Sequence, residues 1–144
     1  MTGLTSINLN FYDNIYIPLL TQYCHKLTKI KVNNTECSVT DIMSLCRVNP
    51  LLEVLSCHYR IGFTDTTLKQ LIHACPHLHT LKLPYETDIT DKCILALSEH
   101  CPHLQWLAIN KGTQVTEVAI LQLLQRCHKL TILVVSRSSL SKVT

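Results

Sequence analysis

The sequence predicts an α/β protein built as a stack of strand–helix units. The first observation behind this is a repeat. Cys75-Pro76-His77-Leu78 recurs as Cys101-Pro102-His103-Leu104 and again as Cys127-His128-Lys129-Leu130, each time after 26 residues. The second is a strand signature. Leu81 and Leu83 become Leu107 and Ile109, then Leu133 and Val135, with polar or small residues between them. The third is a helical one, because Leu68, Leu71 and Cys75 recur at steps of three and four, as do Ile94, Leu97 and Cys101.

Taken in chain order, six segments read Leu-x-x-Leu-x-Leu or a close variant. They start at Leu4, Leu27, Leu52, Leu78, Leu104 and Leu130. Alternation at the end of each suits a short strand with one buried face. Phe63-Thr64-Asp65, Ile89-Thr90-Asp91 and Val115-Thr116-Glu117 follow, and their oxygens suit a helix N-terminus. Leu68 to Cys75, Ile94 to Cys101 and Ile120 to Cys127 then present one helix face. Pro76 and Pro102 end the helix and return the chain to the next strand. One strand and one helix cannot enclose a core, so each unit must bury its apolar face against its neighbours.

Composition narrows the function. The 144 residues suffice for one domain with a core, and the apolar fraction of 47% excludes global disorder. Only 3 glycines are present, which argues against a Gly-rich phosphate loop. A net charge of +3 is small for a dedicated nucleic-acid binder. No apolar run is long enough to span a membrane, and Met1-Thr2-Gly3-Leu4 does not begin a signal peptide. The 8 cysteines fall in the repeat and form no Cys-x-x-Cys pair, so a reduced, buried role is expected, in the cytoplasm or nucleus.

These residues resemble the cysteine-containing leucine-rich repeats, whose unit is similar to Leu-x-x-Leu-x-Leu, a loop, Ile-Thr-Asp, a helix and Cys-Pro-x-Leu. The match runs from about Leu4 to Val135. The resemblance implies a right-handed leucine-rich-repeat solenoid, a horseshoe segment with parallel strands on the concave face and helices on the convex face. The repeat domain is expected over residues 1–137, with a polar tail over 138–144. One departure is that the family's second cysteine slot holds Thr35, Arg60, Glu86 and Gly112. The subfamily is best known from substrate-recruiting parts of F-box proteins in ubiquitin-ligase complexes. The resemblance therefore implies a protein-binding module of an F-box-like receptor, with a stand-alone adaptor unconnected to ubiquitin as the alternative. No F-box is expected within these residues, since only Met1 to Gly3 precede the first repeat segment at Leu4. No polar capping unit is visible at either end, so further repeats or self-association are expected there.

In such a fold a protein partner meets the outward strand residues of the concave face. The candidates are Lys29, Lys31, His58, Lys82, Trp106, Ala108, Ile132 and Val134. The lysines make one part of this face basic. Trp106, read as exposed, makes the other end apolar together with Ala108, Ile132 and Val134, and tryptophan is a frequent interface anchor. Tyr59 and Tyr85 are candidates for the rim. His73, Cys75, His77 and His79, and likewise His100, Cys101 and His103, have ligand-like spacing, but the repeat accounts for their cysteines and no metal or other cofactor is expected. No nucleophile or metal-hydrolase motif stands out, so no enzymatic activity is expected. Nucleic acid is not the expected partner.

Overall fold

The structure, a computed structural model, describes residues 2–10, 13–33, 36–58, 61–83, 88–109 and 114–135, the side chains of Asp13 and Asn14 excepted. Strand and helix alternate along the chain. The strands are β1 (Ser6–Leu9), β2 (Lys29–Val32), β3 (Val54–Cys57), β4 (Thr80–Lys82), β5 (Trp106–Ile109) and β6 (Ile132–Val135). Between them lie α1 (Ile17–Tyr23), preceded by a 3-10 turn at Asp13–Tyr16, then α2 (Val39–Arg47), α3 (Asp65–Ala74), α4 (Asp91–His100) and α5 (Glu117–Arg126). The strands form one parallel sheet in chain order, and each crossover between neighbours contains a helix. Leu81, Leu107 and Leu133 stand side by side in it, as the repeat requires.

The register is uniform because each junction uses the same hydrogen bonds. The carbonyls of Thr5, Thr28, Glu53, His79 and Gln105 each accept two N–H groups from the next unit. The core lies between sheet and helices. It contains Ile30, Leu55, Leu81 and Leu107 from the strands, and Ile42, Leu45, Leu68, Leu71, Ile94, Leu97 and Leu123 from the helices. The unit-opening leucines Leu27, Leu52, Leu78 and Leu104 are fully buried, whereas Leu4 of the first unit is 41% exposed and Leu130 of the last is half-buried. Burial here comes from neighbours on both sides.

The Thr-Asp pairs act across units as well as within them. Thr64 caps α3 by accepting the Thr67 N–H, as expected of an N-cap. Asp65, however, reaches forward: its carboxylate accepts the Thr90 N–H at 2.8 Å and the Thr90 hydroxyl at 2.6 Å. Asp91 does the same to the Thr116 N–H at 2.6 Å. Replacing Asp91 with Asn removes the charge from these bonds and is expected to cost about 1–2 kcal/mol in urea unfolding. The repeat cysteines end the helices on the buried side. Cys75, Cys101 and Cys127 are C-cap residues whose N–H groups bond to Leu71, Leu97 and Leu123.

Asn49 occupies the cysteine slot of the second unit and is fully buried. Its Oδ1 accepts the Leu27 N–H at 2.8 Å, and its Nδ2 donates to the Leu45 carbonyl at 2.9 Å. Asparagine thus joins the end of its helix to the leucine that opens the same unit. Asn49→Ala strands both groups away from water and is expected to lower stability by about 1–3 kcal/mol. Asn49→Cys restores the residue of the other units but neither bond, so it should lose a similar amount in the same urea titration.

Candidate functional site

Strand alternation places one set of side chains on the sheet face away from the helices. Register arranges them in rows across the strands. One row runs Ser6, Lys29, Val54, Thr80, Trp106 and Ile132, and the next runs Asn8, Lys31, Ser56, Lys82, Ala108 and Val134. Lys29, Lys31, Lys82, Trp106, Ile132 and Val134 therefore share one face, as the spacing suggested. His58 follows β3 on the same side of the site, exposed, with its Nε2 at 3.3 Å from the Ser56 hydroxyl.

The centre of the face is a lysine laid on an aromatic ring. Lys82 Nζ stands 3.5 Å from the centroid of the Trp106 ring, where the negative ring face attracts the ammonium. Partial burial lowers the Lys82 pKa from its ordinary value, and the charges of Lys31 and Lys29 lower it further. The charges of Lys31 and Lys29 thus reach the Lys82 ammonium, and this part of the face is basic.

Two readings of the sequence need correction. Trp106 is half-buried rather than simply exposed, because Lys82 folds over it, and its indole N–H is buried with no hydrogen-bond partner among the described residues. Ala108 is only 8% exposed, so it offers almost no surface to a partner. It is the smallest side chain between Lys82 and Val134, and its larger neighbours in the row screen it from water. Ser56, between Lys31 and Lys82, is buried for the same reason and was not singled out from sequence. Ile132 and Val134 are 41% and 46% exposed and form an open apolar end. At the other end, Asn33 Nδ2 donates to Asn8 Oδ1 at 2.9 Å and reaches Asn10 Oδ1 at 3.3 Å. These asparagines fall at outward positions of the repeat, but only their proximity reveals the cluster. Tyr59, Tyr85, the loop positions Thr35, Arg60, Glu86 and Gly112, and the tail at 138–144 lie outside the described residues.

The cysteines are placed differently from these surface groups. All 8 are free and buried. Burial pushes Cys101 up to about 12, with neighbouring Cys127 and Cys75 adding to it, and it raises Cys57, Cys93 and Cys127 as well. Cys46 is raised by its side-chain hydrogen bond with Cys75 and by burial, while the same bond lowers Cys75. The Cys75 thiol points inward, donating to the Cys46 carbonyl at 3.5 Å. The Cys75 and Cys127 thiols thus each donate to a carbonyl of the preceding unit. His73 and His100 meet across α3 and α4 with ring centroids 4.9 Å apart, and no group of three or more metal-binding side chains converges among the described residues.

Among the described residues no helix is long and apolar enough to cross a membrane. No protein-family model matches the chain, and neither does any curated protein.

Proposed function

We propose that the chain is a protein-recognition module of the cysteine-containing leucine-rich-repeat kind, a right-handed horseshoe segment whose concave side is the helix-free sheet face. What supports this is the uniform parallel register of strands that carry the 26-residue repeat. The observation that carries the functional reading is the juxtaposition of Lys29, Lys31 and Lys82 with Trp106 and the open side chains of Ile132 and Val134. Such a surface fits an extended protein segment with carboxylates toward β2–β4 and an apolar side chain toward β5–β6. The role is binding rather than catalysis.

By its resemblance to F-box repeat proteins, the module recruits a substrate for a ubiquitin ligase. Copurification with the F-box adaptor tests that pathway directly, and its absence with an intact partner interaction leaves the stand-alone adaptor reading.

The binding face itself is tested by comparative affinity capture. Lys31→Glu/Lys82→Glu is expected to weaken the protein retained by wild type at least roughly tenfold, whereas Lys69→Glu on the helix side leaves it unchanged. Equal retention by wild type and the double variant refutes the reading. Raising the salt concentration should weaken the lysine contribution and spare the apolar one. A steep loss of all binding with salt instead indicates a nucleic-acid ligand.

A further inference from the structure

Large apolar side chains are exposed in a particular place. Among the described residues, Leu51 alone lies away from the first unit, α5 and β6. The first unit exposes Leu4, Ile15, Tyr16, Leu19 and Tyr23, and at the other end α5 exposes Val118, Leu121 and Leu124 and β6 exposes Ile132 and Val134. Surface of this kind marks a contact.

The two ends are the complementary halves of the junction that recurs inside the molecule. Aligned on the helix-ending Cys24 and Cys101, Tyr16, Leu19 and Tyr23 stand where α4 carries Cys93, Ala96 and His100. Those α4 residues face α3: Cys93 and Ala96 are buried, and His100 packs on His73. At the other end, Leu121 and Leu124 stand where α3 carries Lys69 and Ile72. Ile72 is 1% exposed, whereas Leu124 is 48% exposed. The sheet repeats the pattern. Thr131 follows Gln105 by 26 residues, in the series of carbonyls that accept two N–H groups from the next unit. Thr5 and Ser6 are the counterparts of the donors Thr28 and Lys29.

We propose that a second copy of this chain docks head to tail, its β1 beside β6 and its α1 beside α5. Ile7 of one copy then covers Leu133 of the other, Leu4 covers Leu130, and Tyr16, Leu19 and Tyr23 meet Leu121 and Leu124. Because the two faces differ, the contact is heterologous and growth is open-ended unless the assembly closes on itself. Among the described strands, β1 and β6 each pair on one side only, and their outer edges provide the backbone pairing.

Sedimentation velocity on the full chain tests this with two variants, Leu19→Glu at the first end and Leu121→Glu at the last. Both positions are more than half exposed, and far-ultraviolet circular dichroism checks that each variant keeps its fold. The wild-type mass is expected to rise with concentration beyond that of a dimer, or to settle at that of a closed ring. Each variant alone should remain monomeric, and an equimolar mixture of the two should form a dimer through the two untouched faces. A wild type that stays monomeric up to its solubility limit overturns the proposal. So does a variant that still self-associates, which means that the contact is symmetric and uses one end only.

Discussion

Leu107→Ala is expected to lower the unfolding free energy by about 3–5 kcal/mol, the largest stability effect of any single change considered. Leu107 is fully buried and lies in register between Leu81 and Leu133, so truncation opens a cavity with strands on both sides. The surrounding sheet cannot collapse into it without breaking the uniform ladder. Leu133 is the same residue in the same position of the last unit, but it is only partly buried. Leu133→Ala should therefore cost about 1–2 kcal/mol, since less area is withdrawn from water there. Urea unfolding of both variants, read by tryptophan fluorescence, measures the difference. Equal losses at the two positions contradict a core built by stacking, because position along the stack is all that distinguishes them.

On the proposed reading of the helix-free face, Trp106→Ala is expected to weaken binding of a protein partner by about 2–4 kcal/mol while leaving the fold intact. The ring is the largest side chain on the helix-free face and is already held on one side by Lys82. Little rotamer freedom remains to be lost on binding, which favours an anchor role. The indole N–H is buried without a partner among the described residues, so a partner carbonyl satisfies it only where a covering side chain moves aside. Trp106→Phe keeps the apolar ring and removes the donor, so it should retain part of the affinity. Isothermal titration with the partner separates the two contributions. Full affinity in Trp106→Ala places binding elsewhere.

Much of the fold was legible from the sequence, because a repeated residue reports its environment several times over. Leu81, Leu107 and Leu133 identify one strand position, and the cysteine slot identifies one helix end. What periodicity conceals is contact between units. Asp65 and Asp91 look like helix-capping residues of their own helices, yet they bond to Thr90 and Thr116 one unit on. Asn49 reads as a polar exception in an apolar slot until its bonds to Leu27 and Leu45 are seen. The site was legible as a face but not as a surface. Strand alternation identifies which side Trp106 and Ala108 occupy, but exposure there depends on the sizes of cross-strand neighbours. A lysine stem covers the tryptophan, and flanking residues hide the alanine. Pairing across strands is a tertiary property, set by register rather than by the local sequence.

Trp106 is the sole tryptophan of the chain, and this makes the helix-free face directly observable. Titrating the folded protein with its partner while recording intrinsic emission, with a tryptophan-free partner segment, reports on that face alone. A saturable shift in Trp106 emission is predicted, with a midpoint equal to the calorimetric Kd, and Lys31→Glu/Lys82→Glu should move both midpoints together. Calorimetric binding with the Trp106 emission unchanged would contradict the account.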